Sequence, residues 1–452
     1  MMNITRRDAI RSMVTGTMLF PAIVQDLLGA QTANPLAPRA PHFPGKAKRL
    51  IFLYMTGGVS HVDTFDPKPG LVKAVNEGKK PQGNFKSYLP GAWEFSPSKA
   101  TGAEVSSLFP HVSGILDEVA LIRSMVAAHN DHFQASQGLH NGSVTVKRPS
   151  MGSWVSYGLG SENQNLPSFV VIAPYLPYAG AINWTSDFLP GAHTGTRIAG
   201  GAEPVADLNR RTPTAELQQL ELGLLDRLNN QHLISRPGDN ALAARIKSFE
   251  IAYGMQSEMP EVLDLSKETD ATLKLYGLER GDNQGFAWQC LIGRRLAERG
   301  VRYIELVDSG TTKNWDSHNE IDEMNAMAKN ADQPIAALVK DLKSRGMLED
   351  TLVVWATEFG RTPWLEQTHG RGHYNKCFSC WMAGGGIKAG IVYGKTDELG
   401  LNVAENPVTV HDFQATILHC LGFDHTKLTF RHAGRDFRLT DVHGNVVNAL
   451  LA

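Results

Sequence analysis

Residues 49–67 read RLIFLYMTGGVSHVDTFDP, and the fold is most legible here. Leu50 to Met55 is an unbroken apolar run of strand length, the pattern of a strand buried on both faces of a parallel sheet. Straight after it come Gly57 and Gly58, then His61, Asp63 and Asp66. Open α/β sheets bind their ligands beyond the carboxyl ends of their strands, so this polar turn is expected to form part of a metal or catalytic site. The alternative is a turn whose Asp and Ser side chains only satisfy nearby backbone groups.

The same transition from apolar run to polar residues recurs along the chain. Val119–Ile122 precedes His129, His132, Ser136 and His140. Val301–Val307 precedes Asp308 and then Asp316-Ser317-His318, while Thr351–Ala356 leads into Glu358 and Arg361, with Arg371 and His373 one loop later. Phe169–Ala173 is followed by a Gly-, Pro- and aromatic-rich insertion, Pro174–Ile198, expected to shape a pocket, and Phe378–Ala383 is a further strand. Helical periodicity is expected over 106–117, 213–252, 289–299 and 324–344, and residues 67–103 are expected to be a long surface excursion. Helices alternating with buried strands imply an α/β fold with a doubly wound, mostly parallel sheet.

In such a sheet the carboxyl ends share one edge, so residues about 300 positions apart can meet there. The candidate metal ligands are His61, Asp63, His132, Asp316, His318, Glu358 and His373. A mixed imidazole and oxygen set suits zinc or manganese better than the all-oxygen cages of calcium and magnesium. Two plainer readings stand beside this one. Asp316 and Ser317 also fit a helix start, and Glu358 also fits an ion pair with Arg361.

The 452 residues suffice for one large α/β domain or two smaller units. Apolar residues make up 42% and charged residues 20% of the chain, which is globular composition and argues against disorder. A net charge of −2 without Lys/Arg runs argues against a nucleic-acid partner. At the start, Arg6-Arg7 precedes an apolar stretch, Met13 to Leu28, and then small residues. This is read as a twin-arginine export signal over 1–33, followed by a Pro-rich linker over 34–47 and one domain over 48–452. The folded chain is thus expected to engage the twin-arginine export machinery and reach the periplasm or beyond. No other apolar run approaches the roughly 20 residues that span a bilayer, so no stable membrane span is expected in the mature form. Cys377 and Cys380 have redox-motif spacing but lie in a strand-like run, so they and Cys290 and Cys420 are read as core residues.

Several motifs together resemble a known family. Gly57-Gly58-x-Ser60-His61-x-Asp63-Thr64-Phe65-Asp66-Pro67-Lys68, Thr351–Val354 with Glu358-Phe359-Gly360-Arg361-Thr362, and Ala383–Lys388 through Tyr393-Gly394-x-Thr396-Asp397-Glu398 are similar to the exported bacterial domain-of-unknown-function 1501 family. That family is placed in the alkaline phosphatase and sulfatase clan. The resemblance implies one or two divalent metals at the strand ends, hydrolysing phosphate or sulfate esters of small molecules or glycans. It likens Asp63 to the clan's first-strand aspartate ligand, Asp316 and His318 to its aspartate-histidine motif, and His373 to its late histidine. Glu358 falls where the clan has an aspartate followed by histidine, and Phe359 stands in place of that histidine. The Cys-x-Pro-x-Arg sulfatase signature is absent, which argues against formylglycine chemistry. The attacking group is expected to be Ser60, Thr64 or Ser136, or a metal-bound water. Arg361 is expected in the catalytic set, and Arg361 or Arg371 is expected to hold the ester anion bidentately. A catalytically degenerate binding or assembly protein of the same fold is the alternative.

Overall fold

The computed structural model describes residues 34–452 apart from 84, 207 and 237. The expected export signal therefore lies outside the described residues. Nine strands build one sheet: β1 Arg49–Tyr54, β2 Val119–Val126, β3 Phe169–Ile172, β4 Thr196–Ile198, β5 Tyr303–Val307, β6 Thr351–Ala356, β7 Phe378–Ala383, β8 Ile391–Tyr393 and β9 Val408–Thr409. The order is β8-β2-β7-β6-β1-β5-β3-β4, with β9 also on β2. All pairings are parallel except the two made by β7, which runs against both β6 and β2.

The apolar run that opened the reading becomes the middle of this sheet. β1 pairs with β5 on one side (Leu53 opposite Leu306) and with β6 on the other (Leu53 opposite Trp355). Its side chains alternate between two cores. Ile51 and Leu53 enter the core shared with Leu291, Leu296, Ile335 and Leu338, whereas Leu50, Phe52 and Tyr54 enter the core shared with Trp154, Val155, Phe413 and Ile417. Burial on both faces explains why the strand shows no polar alternation.

The helices include α1 His61–Thr64, α2 His132–Asn141, α3 Met151–Leu159, α4 Ala215–Ser235, α5 Asn240–Leu263, α6 Gly285–Glu298, α7 Glu323–Ser344 and α8 Val410–Cys420. Helices α6 and α7 cover one face of the sheet, and α2, α3 and α8 cover the other. No helix among the described residues is long and apolar enough to cross a membrane. All four cysteines are free and buried, and burial pushes the Cys380 thiol up to about 12.

Three expectations need correcting. Residues 106–117 form no single helix: a short helix starts afresh at Pro110, where the Asp332 carboxylate accepts the amides of His111 and Val112, and a separate helical turn covers Leu116–Glu118. The helix expected over 213–252 is two, α4 and α5, with Gly238 between them at φ +85°. The excursion over 67–103 contains a helix, Pro69–Asn76, and sends the carbonyls of Leu89 and Pro90 inward to a buried arginine.

Candidate metal centre

Polar residues gather at the carboxyl edge of the sheet. Beyond β2 the chain turns into α2, whose first residue is His132, and the Asp131 side chain accepts the Phe133 amide to cap this start. Beyond β6 comes Glu358, fully buried. Its Oε1 lies 2.6 Å from His132 Nδ1 and also accepts the Gly57 amide at 2.9 Å. The turn after β1, the end of β6 and the start of α2 are thus joined at one carboxylate. Tyr178, from the insertion after β3, stacks flat on the His132 ring at 4.1 Å, and Phe359 packs against His132 and His373.

The loop after β5 supplies Asp316 and His318. It is held to the β1 turn by the Trp315 amide on the Thr56 carbonyl, and Asn314 Oδ1 accepts the Asp316 amide. His373 comes from a two-residue ladder in which it pairs with Arg361. Its Nδ1 faces the Asn130 carbonyl at 2.8 Å, and His318 Nδ1 faces Glu366 Oε2 at 3.4 Å. His132 and His373 therefore have their Nδ1 held from outside and their Nε2 turned inward, whereas His318 Nδ1 lies near Glu366 without a hydrogen bond.

The inward atoms converge. His132 Nε2 is 3.2 Å from Asp316 Oδ2, His318 Nε2 is 2.9 Å from Asp316 Oδ1 and 2.9 Å from His373 Nε2, and His373 Nε2 is 3.3 Å from Asp316 Oδ1. One donor atom each from His132, Asp316 and His373 lies within 4.8 Å of the others. Ligands at tetrahedral positions 2.0–2.1 Å from a zinc ion stand about 3.3 Å apart, so this set fits one ion with little adjustment. His132 Nε2 is also a buried atom with no hydrogen-bond partner, as a ligand atom aimed at a cation is. The Asp316, His318 and His373 side chains are 19%, 23% and 24% exposed, against 8% for His132, so the centre opens on their side.

The charges are strongly coupled. Burial works against the Asp316 carboxylate, but His132, His318, His373 and Arg361 together hold it far below the ordinary range. Burial likewise pulls His132 down, and the carboxylates of Asp316 and Glu358 more than reverse this, raising it. Arg361 is fixed by the carbonyls of Gly57, Gly58 and Arg371 and by Asp316. Gly58 makes this possible, because at φ +71° a β-carbon there would sit 2.6 Å from the Phe359 ring.

The structure gathers four of the seven expected ligands, His132, Asp316, His318 and His373, and places Glu358 behind His132 rather than at the centre. Asp63 is parted from the group. Both of its oxygens are taken by Arg371, at 2.6 and 3.0 Å, with Ser60 Oγ and the Ala92 amide completing its shell. Arg371, expected on the ester anion, is spent on this pair and on the carbonyls of Leu89, Pro90 and Thr362. A buried bidentate pair with every donor matched is a structural clamp. His61 also lies apart, its Nε2 against the Gly400 carbonyl at 3.3 Å and Cys377 Sγ at 3.5 Å.

The three expected hydroxyl nucleophiles are engaged elsewhere. Ser60 bonds Asp63, Thr64 Oγ1 donates to the Ser60 carbonyl, and the fully buried Ser136 bonds the Tyr54 hydroxyl at 2.6 Å. Residues that sequence reasoning missed are Tyr178, Glu366 and Asn130. The aromatic content of the insertion pointed toward Tyr178, whereas nothing local marks Glu366 or the Asn130 carbonyl as imidazole partners.

No curated protein sequence matches the chain significantly. Solved structures with a similar arrangement include the lipoteichoic acid synthase LtaP from Listeria monocytogenes, at 10% identity over 92% of this chain and 80% of that one, with a TM-score of 0.39. The PsFucS1 sulfatase from Pseudoalteromonas sp. matches at 14% identity over 89% and 70%, with a TM-score of 0.37. The alkaline phosphatase from the Antarctic bacterium TAB5 matches at 11% identity over 78% and 96%, with a TM-score of 0.30. The model of the family described as protein of unknown function (DUF1501) matches residues 47–451, and the chain belongs to that family.

Proposed function

We propose that this protein is a metal-dependent hydrolase of phosphate or sulfate esters, acting at a divalent ion held by His132, Asp316, His373 and His318. The observation that carries the reading is the convergence of three imidazole Nε2 atoms on the Asp316 carboxylate, with Nδ1 of His132 and His373 occupied from outside. Outer partners of this kind fix tautomer and ring direction in metal sites. Bound zinc or manganese supplies Lewis-acid polarisation of an ester oxygen and lowers the pKa of water.

The chain's own groups do the rest. Glu358 and the Asn130 carbonyl retain the Nδ1 protons of His132 and His373. Arg361 is held by the carbonyls of Gly57, Gly58 and Arg371 and by Asp316, so it acts on an anionic ester as a fixed charge. Tyr178 and Phe359 wall the His132 side against water. With Ser60, Thr64 and Ser136 committed elsewhere, water is the attacking group in this reading. Export of the folded chain by the twin-arginine route belongs to the same proposal, because that route carries proteins already loaded with metal.

The commitment of Arg361 and of all three hydroxyls favours a second reading, a binding or assembly protein that retains the metal centre without turnover. Elemental analysis after zinc or manganese reconstitution, with aryl phosphate, phosphodiester and aryl sulfate assays, separates the two. The hydrolase reading expects about one metal per chain and turnover of at least one ester class, both lost in Asp316→Asn. Metal without turnover of any ester supports the binding protein, and wild type that retains no stoichiometric metal sinks both.

A further inference from the structure

We propose that α4 is a homodimerisation face, on which two copies of this chain pack α4 against α4 in antiparallel about a two-fold axis. Helix α4 has 21 residues and none of them is buried. Its inner side touches the protein through the half-buried Gln218, Leu222, Asn229 and Leu233. Its outer side carries Leu217, Leu220, Leu224 and Leu228, exposed by 42%, 72%, 58% and 52%. These recur at the three- and four-residue steps of a helix that packs on another helix. The stripe covers three turns, or about 16 Å, and a contiguous apolar surface of this kind marks an interaction site. The neighbouring α5 leaves it uncovered, because α5 turns Ile251, Met255 and Met259 into the core.

Charge selects the occupant. Within α4 the carboxylates Glu216, Glu221 and Asp226 outnumber Arg227, so the helix lacks the row of cations that membrane-binding helices present along their polar face. A second copy is matched. Glu216 and Arg227 stand three turns apart on the same flank of the leucine stripe. An antiparallel copy therefore sets each Glu216 against the partner's Arg227, and the two-fold makes the pair twice. That reciprocity is the mark of an isologous interface. Leu217, Leu220, Leu224 and Leu228 of the two copies interleave between those pairs.

Sedimentation velocity on the full mature chain tests this over a concentration series up to about 100 μM. The wild type is expected to dimerise, and Leu224→Glu to be monomeric with an unchanged circular dichroism melt, since Leu224 is exposed. Glu216→Arg and Arg227→Glu are each expected to weaken the dimer by roughly fivefold or more, and the double swap to restore it. The proposal is overturned by a wild type that stays monomeric, by a dimer indifferent to Leu224→Glu, or by a double swap weaker than the single variants. Co-sedimentation of the monomer with phosphatidylcholine or phosphatidylglycerol vesicles, lost in Leu224→Glu, also overturns it and assigns the face to a membrane.

Discussion

His132 carries its proton on Nδ1 because Glu358 stands 2.6 Å from that nitrogen, and this leaves Nε2 as a lone-pair donor. Exchanging Glu358 for Gln keeps the shape and removes the charge that makes the imidazole a better ligand. Zinc affinity, measured against a chromophoric chelator, is expected to fall by roughly tenfold or more, and an unchanged affinity would remove Glu358 from the centre. A second residue-scale consequence concerns His61. Burial lowers its pKa to about 4, and burial with Arg39 lowers that of His193 to about 3. Below pH 6.5 the unfolded chain takes up protons that the folded chain refuses. The stability that these two histidines contribute is therefore complete above 6.5 and drains away as pH falls toward 4, by about 3 kcal/mol for His61. The urea midpoint is expected to drop across this window and to drop less in His61→Gln; parallel slopes would refute the assignment. Asp316, His318 and His373 were legible because each follows a strand run on the expected edge. The Asp63–Arg371 clamp was not, since it joins residues 308 positions apart, and a lone aspartate after a strand looks the same whether it meets a metal or an arginine.

Helix α2 shows how an element aims a side chain. Asp131 sets its first turn, which places His132, and Gly142 ends it in the left-handed region at φ +70°. A β-carbon at Gly142 would collide with the Leu439 carbonyl oxygen, a rigid backbone atom. Gly142→Ala is accordingly expected to cost about 2–4 kcal/mol, through both φ and the collision, read as a shift of the denaturant midpoint. A shift below the noise of that measurement would show that the backbone gives way there. Elements were readable where both cores enforce them: the runs at 351–356 and 378–383 are strands over those same residues. They were misread where tertiary capping decides, as at Pro110, because the carboxylate that caps that turn belongs to Asp332, about 220 residues downstream.

Across the whole molecule, the centre draws its donors from the segments after β2, after β5 and before β7, so an ion there cross-links three parts of the sheet edge. Such an ion binds the folded chain far better than the unfolded one, and at a hundredfold excess over its dissociation constant it contributes about 2.7 kcal/mol. Thermal melts are expected to rise with added zinc or manganese, to fall with chelator, and to show neither response in Asp316→Asn. A doubly wound sheet was legible from the unbroken apolar runs, but the reversed β7 was not, because a strand buried on both faces has the same composition in either direction. The central position of β1 has a kinetic consequence. Of the sheet's strands this one is made before the others, and its partners β5 and β6 follow about 250 and 300 residues later. Until they emerge, Leu50 to Met55 is an unpaired apolar segment, a template for association with other nascent chains. Folding is then a slow, late event governed by long-range closure, and a chaperone that shields residues 50–55 would govern the yield of soluble protein more than the stability of the finished fold.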